Sequence, residues 1–201
     1  MLSIYDLKPR FQVLLRPLVS FLAQTGVTAN HVTVAATVLS FFVGAMIALF
    51  PQERWPLLLM PVALFLRMAL NAIDGILARE HAMKSSLGAI LNELGDVLSD
   101  TALYLPLAMV PGVNPILVVA VTILAIISEM TGVVAVQIGA QRRYDGPMGK
   151  SDRAFVFGTL CLFMGIGLKV EYWVDGALVI VGCLLVVTIV NRARRALGEV
   201  A

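Results

Sequence analysis

Residues 67–100 have the sequence RMALNAIDGILAREHAMKSSLGAILNELGDVLSD. Two apolar runs long enough to cross a bilayer meet in this segment, and both are interrupted by polar or ionisable side chains. These are Asn71, Asp74, Arg79, Asn92, Glu93, Asp96 and Asp100. A polar group at such depth is costly unless it is paired, hydrated or bound to a metal ion. We therefore expect these side chains to be used.

The spacing of these residues predicts two polar helix faces. Asn71 and Asp74 lie three residues apart on one face, whereas Asn92, Asp96 and Asp100 recur every four residues on another. Two antiparallel helices joined by a short connection would bring these faces together. Carboxylate and carbonyl oxygens are the ligands that Mg²⁺ and Mn²⁺ prefer. The spacing therefore indicates a site for a divalent metal ion.

The same residues resemble the motif of the CDP-alcohol phosphotransferases, D-x2-D-G-x2-A-R-x8-G-x3-D-x3-D. From residue 71 to residue 96 this chain has N-x2-D-G-x2-A-R-x8-G-x3-N-x3-D. Every spacing matches, and six of the eight defining positions hold the family residue. The departures are Asn71 and Asn92, each at a position where the family has aspartate. Within the family, the chain resembles a branch of bacterial inner-membrane proteins that shares both asparagines.

This resemblance implies a divalent-metal-dependent enzyme that releases CMP. A substituted phosphate group, expected to be phosphatidyl, would pass from a CDP-alcohol such as CDP-diacylglycerol to an acceptor alcohol. Asp74, Asp96, Asn71 and Asn92 would bind Mg²⁺ or Mn²⁺, as one ion or two, and Asp96 would also be the catalytic base. The residues expected to contact the CDP group are Asn30, Thr33, Gly75, Ala78, Arg79 and Gly88. The family is usually homodimeric, so a homodimer is expected.

Asn71 and Asn92 leave two motif charges where the family has four. An asparagine carbonyl can bind Mg²⁺, but it contributes no charge. Three outcomes stay open: weaker two-metal binding completed by the diphosphate, a single metal ion, or loss of ordinary transfer activity. The alternative functions are a catalytically impaired member that binds CDP-lipid and a small membrane transporter. Glu93 and Asp100 are candidates to replace the missing aspartates.

Composition places the chain among membrane proteins. Hydrophobic residues make up 59% and charged residues 14% of the 201 positions, and the mean hydropathy is +0.90. The net charge of +2 is too small to predict a nucleic-acid partner. The length predicts one domain, residues 1–201. The fold class predicted is therefore all-α, with six transmembrane helices and an N-terminal amphipathic cytoplasmic helix.

Hydropathy and breaker residues place the six spans near 32–50, 56–78, 87–110, 115–138, 154–170 and 173–191. With both termini in the cytoplasm, twelve lysines and arginines lie on the cytoplasmic side, and only Arg54 and Lys169 lie outside. This asymmetry favours a bacterial inner-membrane protein with cytoplasmic N- and C-termini. It also places the motif where a soluble nucleotide and a lipid tail could meet.

Residues 1–27 are interpreted as an interfacial helix that precedes the bundle of residues 28–201. Apolar residues recur there at helical intervals between Lys8, Arg10 and Arg16. A helix packed on the cytoplasmic end of the bundle is an equally compatible interpretation. Thr28 or Asn30 could cap the first span.

The segment 141–153 holds a second group of candidate residues. Gly149 and Lys150, followed by Arg153, resemble the Gly-Lys element of the family, so Lys150 and Arg153 are expected to bind the acceptor. The simpler alternative is that these cations only mark the cytoplasmic side. The cations near the C-terminus, Arg192, Arg194 and Arg195, are interpreted as anchors to lipid headgroups. Arg67 is expected to pair with Glu129 or Asp100.

Overall fold

A computed structural model describes residues 4–201, and the side chains of residues 11–201, as an all-helical chain. The α-helices are α1 (Ile4–Gln24), α2 (Ala29–Leu49), α3 (Trp55–Glu80), α4 (Ser86–Tyr104), α5 (Pro115–Val134), α6 (Lys150–Gly165) and α7 (Tyr172–Val200). Two 3-10 segments, Leu105–Met109 and Ala135–Ile138, follow α4 and α5 directly. The all-helical class predicted from sequence is confirmed over the described residues.

Four of these helices are long and apolar enough to cross a membrane. They are α2, α3, α5 with its 3-10 extension, and α7. Helix α4 also reaches 19 residues, but Glu93, Asp96 and Asp100 lie within it. Helix α6 has only 16 residues. The membrane class therefore follows from four spans, whereas the six-span count stays a prediction.

Side-chain caps explain where the predicted helices begin. Thr28 Oγ1 accepts a hydrogen bond from the backbone amide of His31 (3.3 Å), and His31 Nδ1 accepts one from the amide of Thr28 (3.3 Å). Ser85 caps α4 through the amide of Gly88 (3.0 Å), and Asn114 caps α5. The predicted cap at Thr28 is confirmed, and the same pair gives His31 a structural role.

Helix α2 is the packing centre of the motif end, because it contacts both α3 and α4. Its Gly44 lies directly against the carbonyl group of Ala102 in α4, so that any side chain there would clash. Elsewhere α3 packs on α6 and α5 packs on α7. The main core runs between these pairs, and in it the rings of Tyr104 and Phe157 stack with their centroids 3.9 Å apart.

Helix α1 packs on the bundle along α3. Val19 is fully buried in a cluster shared by α1, α2 and α3. Arg16 pairs with Glu80 (3.0 Å) at the end of α3. This contact agrees with the packed alternative, and placement at a membrane surface stays a prediction. Leu2 lies outside the described residues, as do the side chains of Lys8 and Arg10.

Candidate functional site

The motif residues lie on α3 and α4, two helices that both pack against α2. Asn71, Asp74, Gly75, Ala78 and Arg79 occupy the last three turns of α3, and Gly88, Asn92 and Asp96 occupy the first three turns of α4. Residues 81–85 connect the two helices, as the sequence predicted. Over the described residues, however, α3 and α4 are not close-packed neighbours, since α2 packs against both. The link between them is made by side chains, because Arg67 of α3 bonds to Asp96 and Asp100 of α4.

Two polar side chains of α2 reach the motif helices. Thr33 Oγ1 donates a hydrogen bond to Asp74 Oδ2 (2.8 Å), and Asp74 is buried. A Cβ placed on Gly88 would lie only 2.8 Å from Asn30 Oδ1, so Gly88 admits the Asn30 side chain. Both residues had been predicted to contact the CDP group. The structure brings them to the same end of the bundle as Asp74 and Gly88.

Asp96 is held from two sides by cations. Its Oδ1 forms an ion pair with Lys150 Nζ from the first residue of α6. Arg67 Nη2 donates to the backbone carbonyl of Asp96 (3.0 Å) and lies 3.6 Å from its Oδ1. The side chains of Asp96 and Lys150 are 25% and 31% exposed. The predicted base and the predicted acceptor-binding lysine therefore touch, and both remain accessible.

The other motif residues make fewer specific contacts. A Cβ on Gly75 would lie 3.2 Å from Arg79 Nη1, so the exposed Arg79 guanidinium folds back over that glycine. Asn71 is half-buried and Asn92 is exposed. Among the described residues, no hydrogen bond joins either asparagine to Asp74 or Asp96. Ala78 lies half-buried one residue before Arg79.

The oxygen ligands at the motif are of the type that binds a divalent metal ion, but they carry less negative charge than the four-aspartate motif. Between residues 11 and 201 there is no group of three His, Cys, Asp or Glu side chains placed to hold a metal ion. The oxygens present at the motif belong to Asp74, Asp96, Asn71 and Asn92. Carboxylate and amide oxygens suit Mg²⁺ or Mn²⁺, but two carboxylates supply half of the charge of a four-aspartate motif.

Next to the motif, arginines neutralise the other carboxylates of α4 and α5. Asp100 accepts from Arg67 Nη1 (2.5 Å) and from Arg153 Nε (3.1 Å) and Nη2 (2.8 Å). The predicted pairing of Arg67 with Asp100 is confirmed. Arg153 is completely buried and also donates to Glu129 Oε1 (2.9 Å). Its role in binding the acceptor stays a prediction.

Glu93 and Glu129 share one arginine. Arg142 donates to both carboxylate oxygens of Glu93 (2.9 and 2.8 Å) and to Glu129 Oε2 (2.9 Å). Because Glu93 and Asp100 are each occupied by an arginine, neither offers a free charge to replace the missing aspartates. The prediction that Arg192 anchors lipid headgroups is wrong, because this residue is 1% exposed and donates a hydrogen bond to the Ser128 carbonyl group.

Sequence reasoning missed this arginine cluster. The signal available was the isolated Glu129 in the apolar fifth helix, because a buried carboxylate needs a partner. Its partners had other interpretations: Arg142 as a charge that marks the cytoplasmic side, Arg153 as an acceptor-binding residue and Arg192 as a lipid anchor. Spacing along the chain could not show that three distant arginines converge on one glutamate.

Comparison with known proteins places these features in a family. The family model described as CDP-alcohol phosphatidyltransferase matches residues 26–190. The chain is 46% identical over 196 residues to the inner membrane protein YnbA of Escherichia coli (strain K12), and this match covers 98% of this chain and 97% of that protein. The predicted family and branch are thus confirmed.

Solved structures of the Mycobacterium tuberculosis phosphatidylinositol phosphate synthase PgsA1 share the fold. The complex with manganese and citrate has a TM-score of 0.76 at 17% identity, covering 90% of this chain and 88% of that one. The form with CDP-DAG bound has the same TM-score and identity, covering 90% of this chain and 92% of that one. At this identity the likeness concerns the fold alone. The family model and the YnbA relative are sufficient for assignment: the chain belongs to the CDP-alcohol phosphatidyltransferase family.

Proposed function

We propose that this protein transfers a phosphatidyl group from CDP-diacylglycerol to an acceptor alcohol and releases CMP, as a step in phospholipid synthesis. The observation that carries the proposal is the difference between Asp96 and its neighbours. Asp96 stays accessible beside a lysine, whereas Glu93, Asp100 and Glu129 are occupied by arginines. Family membership and the CDP-DAG bound to PgsA1 support this choice of donor.

In the proposed reaction, Asp96 takes the proton of the acceptor hydroxyl. The acceptor oxygen then forms a bond to the phosphorus that carries the diacylglycerol, and the bond from that phosphorus to the CMP oxygen breaks. CMP leaves with the bonding electron pair. Because the Asp96 side chain is 25% exposed, a hydroxyl group can come within hydrogen-bond reach of its carboxylate. Lys150 must then share or release its contact with Asp96.

Asp74, Asp96, Asn71 and Asn92 are the residues proposed to hold Mg²⁺ or Mn²⁺. Such an ion, when bound, would neutralise the diphosphate and the charge that develops on CMP. Thr33 donates a hydrogen bond to Oδ2 of Asp74. The manganese in the PgsA1 structure supports the kind of metal, and its number here stays open between one and two.

The CDP group is proposed to bind where α2 meets the motif. Asn30 and Gly88 already touch, and Thr33 contacts Asp74. Gly75, Ala78 and Arg79 follow on the same end of α3, and the guanidinium of Arg79 suits bidentate contact with phosphate oxygens.

Lys150 and Arg153 are proposed to serve the acceptor in different ways. Lys150 is partly exposed and reaches the site directly. Arg153 is completely buried behind Asp100, so we assign it a positioning role rather than direct contact.

We propose six membrane-spanning helices, α2–α7, with both termini on the cytoplasmic side of a bacterial inner membrane. The charge asymmetry of the sequence and the inner-membrane relative YnbA support this placement. The three carboxylates of α4 do not exclude a span, because arginines or Lys150 neutralise each of them. A homodimer is proposed from the family alone.

The test is CMP release by the purified protein from CDP-diacylglycerol. The acceptors to compare are glycerol phosphate, an inositol phosphate, serine and simple alcohols, each with Mg²⁺ and with Mn²⁺. We expect release that needs both an acceptor and a divalent metal ion. Retained CDP-lipid binding without CMP release for any acceptor would instead select the impaired family member. Solute or ion flux in proteoliposomes would select the transporter.

A further inference from the structure

Glu129 stands at a junction that the proposed reaction does not use. It lies in the second-last turn of α5 and is 7% exposed. Arginines from three different elements reach its carboxylate: Arg142 from the α5–α6 loop, Arg153 from α6, and Arg192 from α7. The closest nitrogen–oxygen distances for these ion pairs are 2.9, 2.9 and 3.4 Å. One side chain thus ties three separate parts of the fold to α5.

The ties of Glu129 lead to the site through Arg153. This arginine also donates to Asp100 (2.8 Å), Asp100 accepts from Arg67 (2.5 Å), and Arg67 donates to the backbone carbonyl of Asp96 (3.0 Å). Arg153 lies in the first turn of α6, three residues after Lys150. The place of that turn therefore decides where the Lys150 ammonium stands relative to Asp96.

We infer that Glu129 is a positioning residue that holds the α5–α6 loop and the first turn of α6, and with them Lys150, in register with Asp96. The loop shows why such a tie is needed. Between Gly139 and Gly149 it has no helix of its own, and polar contacts attach it to α4, α5 and α7. The catalytic consequence of this inference rests on the proposed function, whereas the structural part does not.

Two substitutions separate positioning from simple charge neutralisation. Glu129→Asp keeps the charge and draws the carboxylate back by about 1.5 Å, the length of one carbon–carbon bond. Glu129→Gln keeps the length and removes the charge. Glu199 offers a matched control, because it also pairs with an arginine of the same loop (Arg143, 2.7 Å) but at the surface and away from the site. The control variants are Glu199→Asp and Glu199→Gln.

The experiment is hydrogen–deuterium exchange of the full-length protein in lipid nanodiscs, read by peptide. In Glu129→Asp we expect exchange in residues 140–155 to rise by about tenfold or more, with peptides of α2 unchanged, because only the local opening becomes easier. Glu199→Asp should leave residues 150–155 at the wild-type rate. In parallel, Glu129→Asp should raise the KM for the acceptor several-fold, no further than Lys150→Ala does, and should leave the KM for CDP-diacylglycerol within twofold, since it acts by displacing the Lys150 ammonium.

Unchanged exchange in residues 140–155 of Glu129→Asp would overturn the inference, as would an equal rise in residues 150–155 of Glu199→Asp. Raised exchange with an unchanged acceptor KM would overturn the link from Glu129 to Lys150. If the wild-type protein releases no CMP with any acceptor, the proposed function fails. The exchange result then still decides whether Glu129 holds the loop and α6.

Discussion

Two groups of carboxylates lie within one bundle and differ in what neutralises them. In the motif group, Asp74 accepts a hydrogen bond from a hydroxyl group and Asp96 pairs with a lysine. The Arg67 guanidinium bonds to the backbone carbonyl of Asp96 and lies 3.6 Å from its carboxylate. In the arginine-paired group, Glu93, Asp100 and Glu129 are each bound by one or more guanidinium groups. The first group has oxygens left to offer a ligand, whereas the second is occupied by the protein itself.

The chemistry of the partners explains this difference. A guanidinium group binds a carboxylate through a rigid planar fork, and a buried pair of this kind is not readily broken. A lysine ammonium is a point charge on a flexible stem, and a hydroxyl group carries no charge. The two groups therefore differ in which side chain binds the carboxylate. They do not differ in depth of burial, because Asp74 is as buried as Asp100.

The largest effect is expected at Asp96. Asp96→Asn removes the proposed base while keeping the shape of the side chain, so CMP release should fall by about 10²- to 10⁴-fold. CDP-diacylglycerol binding and helical content should change little. Turnover within tenfold of the wild-type value, measured as CMP release under saturating acceptor, would remove Asp96 from its catalytic role.

Asp100→Asn tests the arginine-paired group by stability rather than by activity. The change removes the negative charge that pairs with the buried Arg67 and Arg153. Loss of one partner of a buried ion pair lowers the free energy of unfolding by about 3–5 kcal/mol. Thermal unfolding in detergent should show a large fall in midpoint. Asp145→Asn is the control, because the side chains of its partners Arg143 and Arg195 are 19% and 65% exposed and pairs open to solvent contribute about 1 kcal/mol or less. Equal shifts in the two variants would erase the distinction.

Arg79→Lys should have an intermediate effect. The substitution keeps the charge beside Gly75 but loses the bidentate fork, so CDP-lipid affinity should fall by about tenfold. Binding is measured by calorimetry with CDP-diacylglycerol in detergent micelles. Unchanged affinity and turnover would place Arg79 outside the site.

Lys150→Ala should give the smallest change and the most selective one. If the ammonium holds an anionic acceptor, its removal should weaken acceptor binding by about 1 kcal/mol or more. The acceptor KM should then rise several-fold, and the CDP-lipid KM should rise less. Steady-state kinetics with each substrate varied in turn provide the comparison. Equal rises in both constants would leave Lys150 with only a topological role.

The motif face was predictable from sequence, because fixed spacing on a helix fixes which residues share a face. Thr28 as a cap and the pairing of Arg67 with Asp100 followed from similarly local rules or from the need to neutralise a buried charge. That α2 packs against both α3 and α4 was not predictable, since no pattern in either motif helix reports which third helix it contacts. The convergence of Arg142, Arg153 and Arg192 on Glu129 was missed for the same reason: it depends on the packing of segments far apart in the chain.

The most direct test of the account is a calorimetric Mn²⁺ titration of the purified protein, with and without CDP-diacylglycerol. If the motif group supplies free oxygens for a metal ion, Asn71→Asp and Asn92→Asp should each strengthen binding, and Asp74→Asn and Asp96→Asn should weaken it. Glu93→Gln in the arginine-paired group should leave the affinity unchanged. The contradicting result is Mn²⁺ affinity that ignores all four motif substitutions, or that falls in Glu93→Gln as much as in Asp74→Asn.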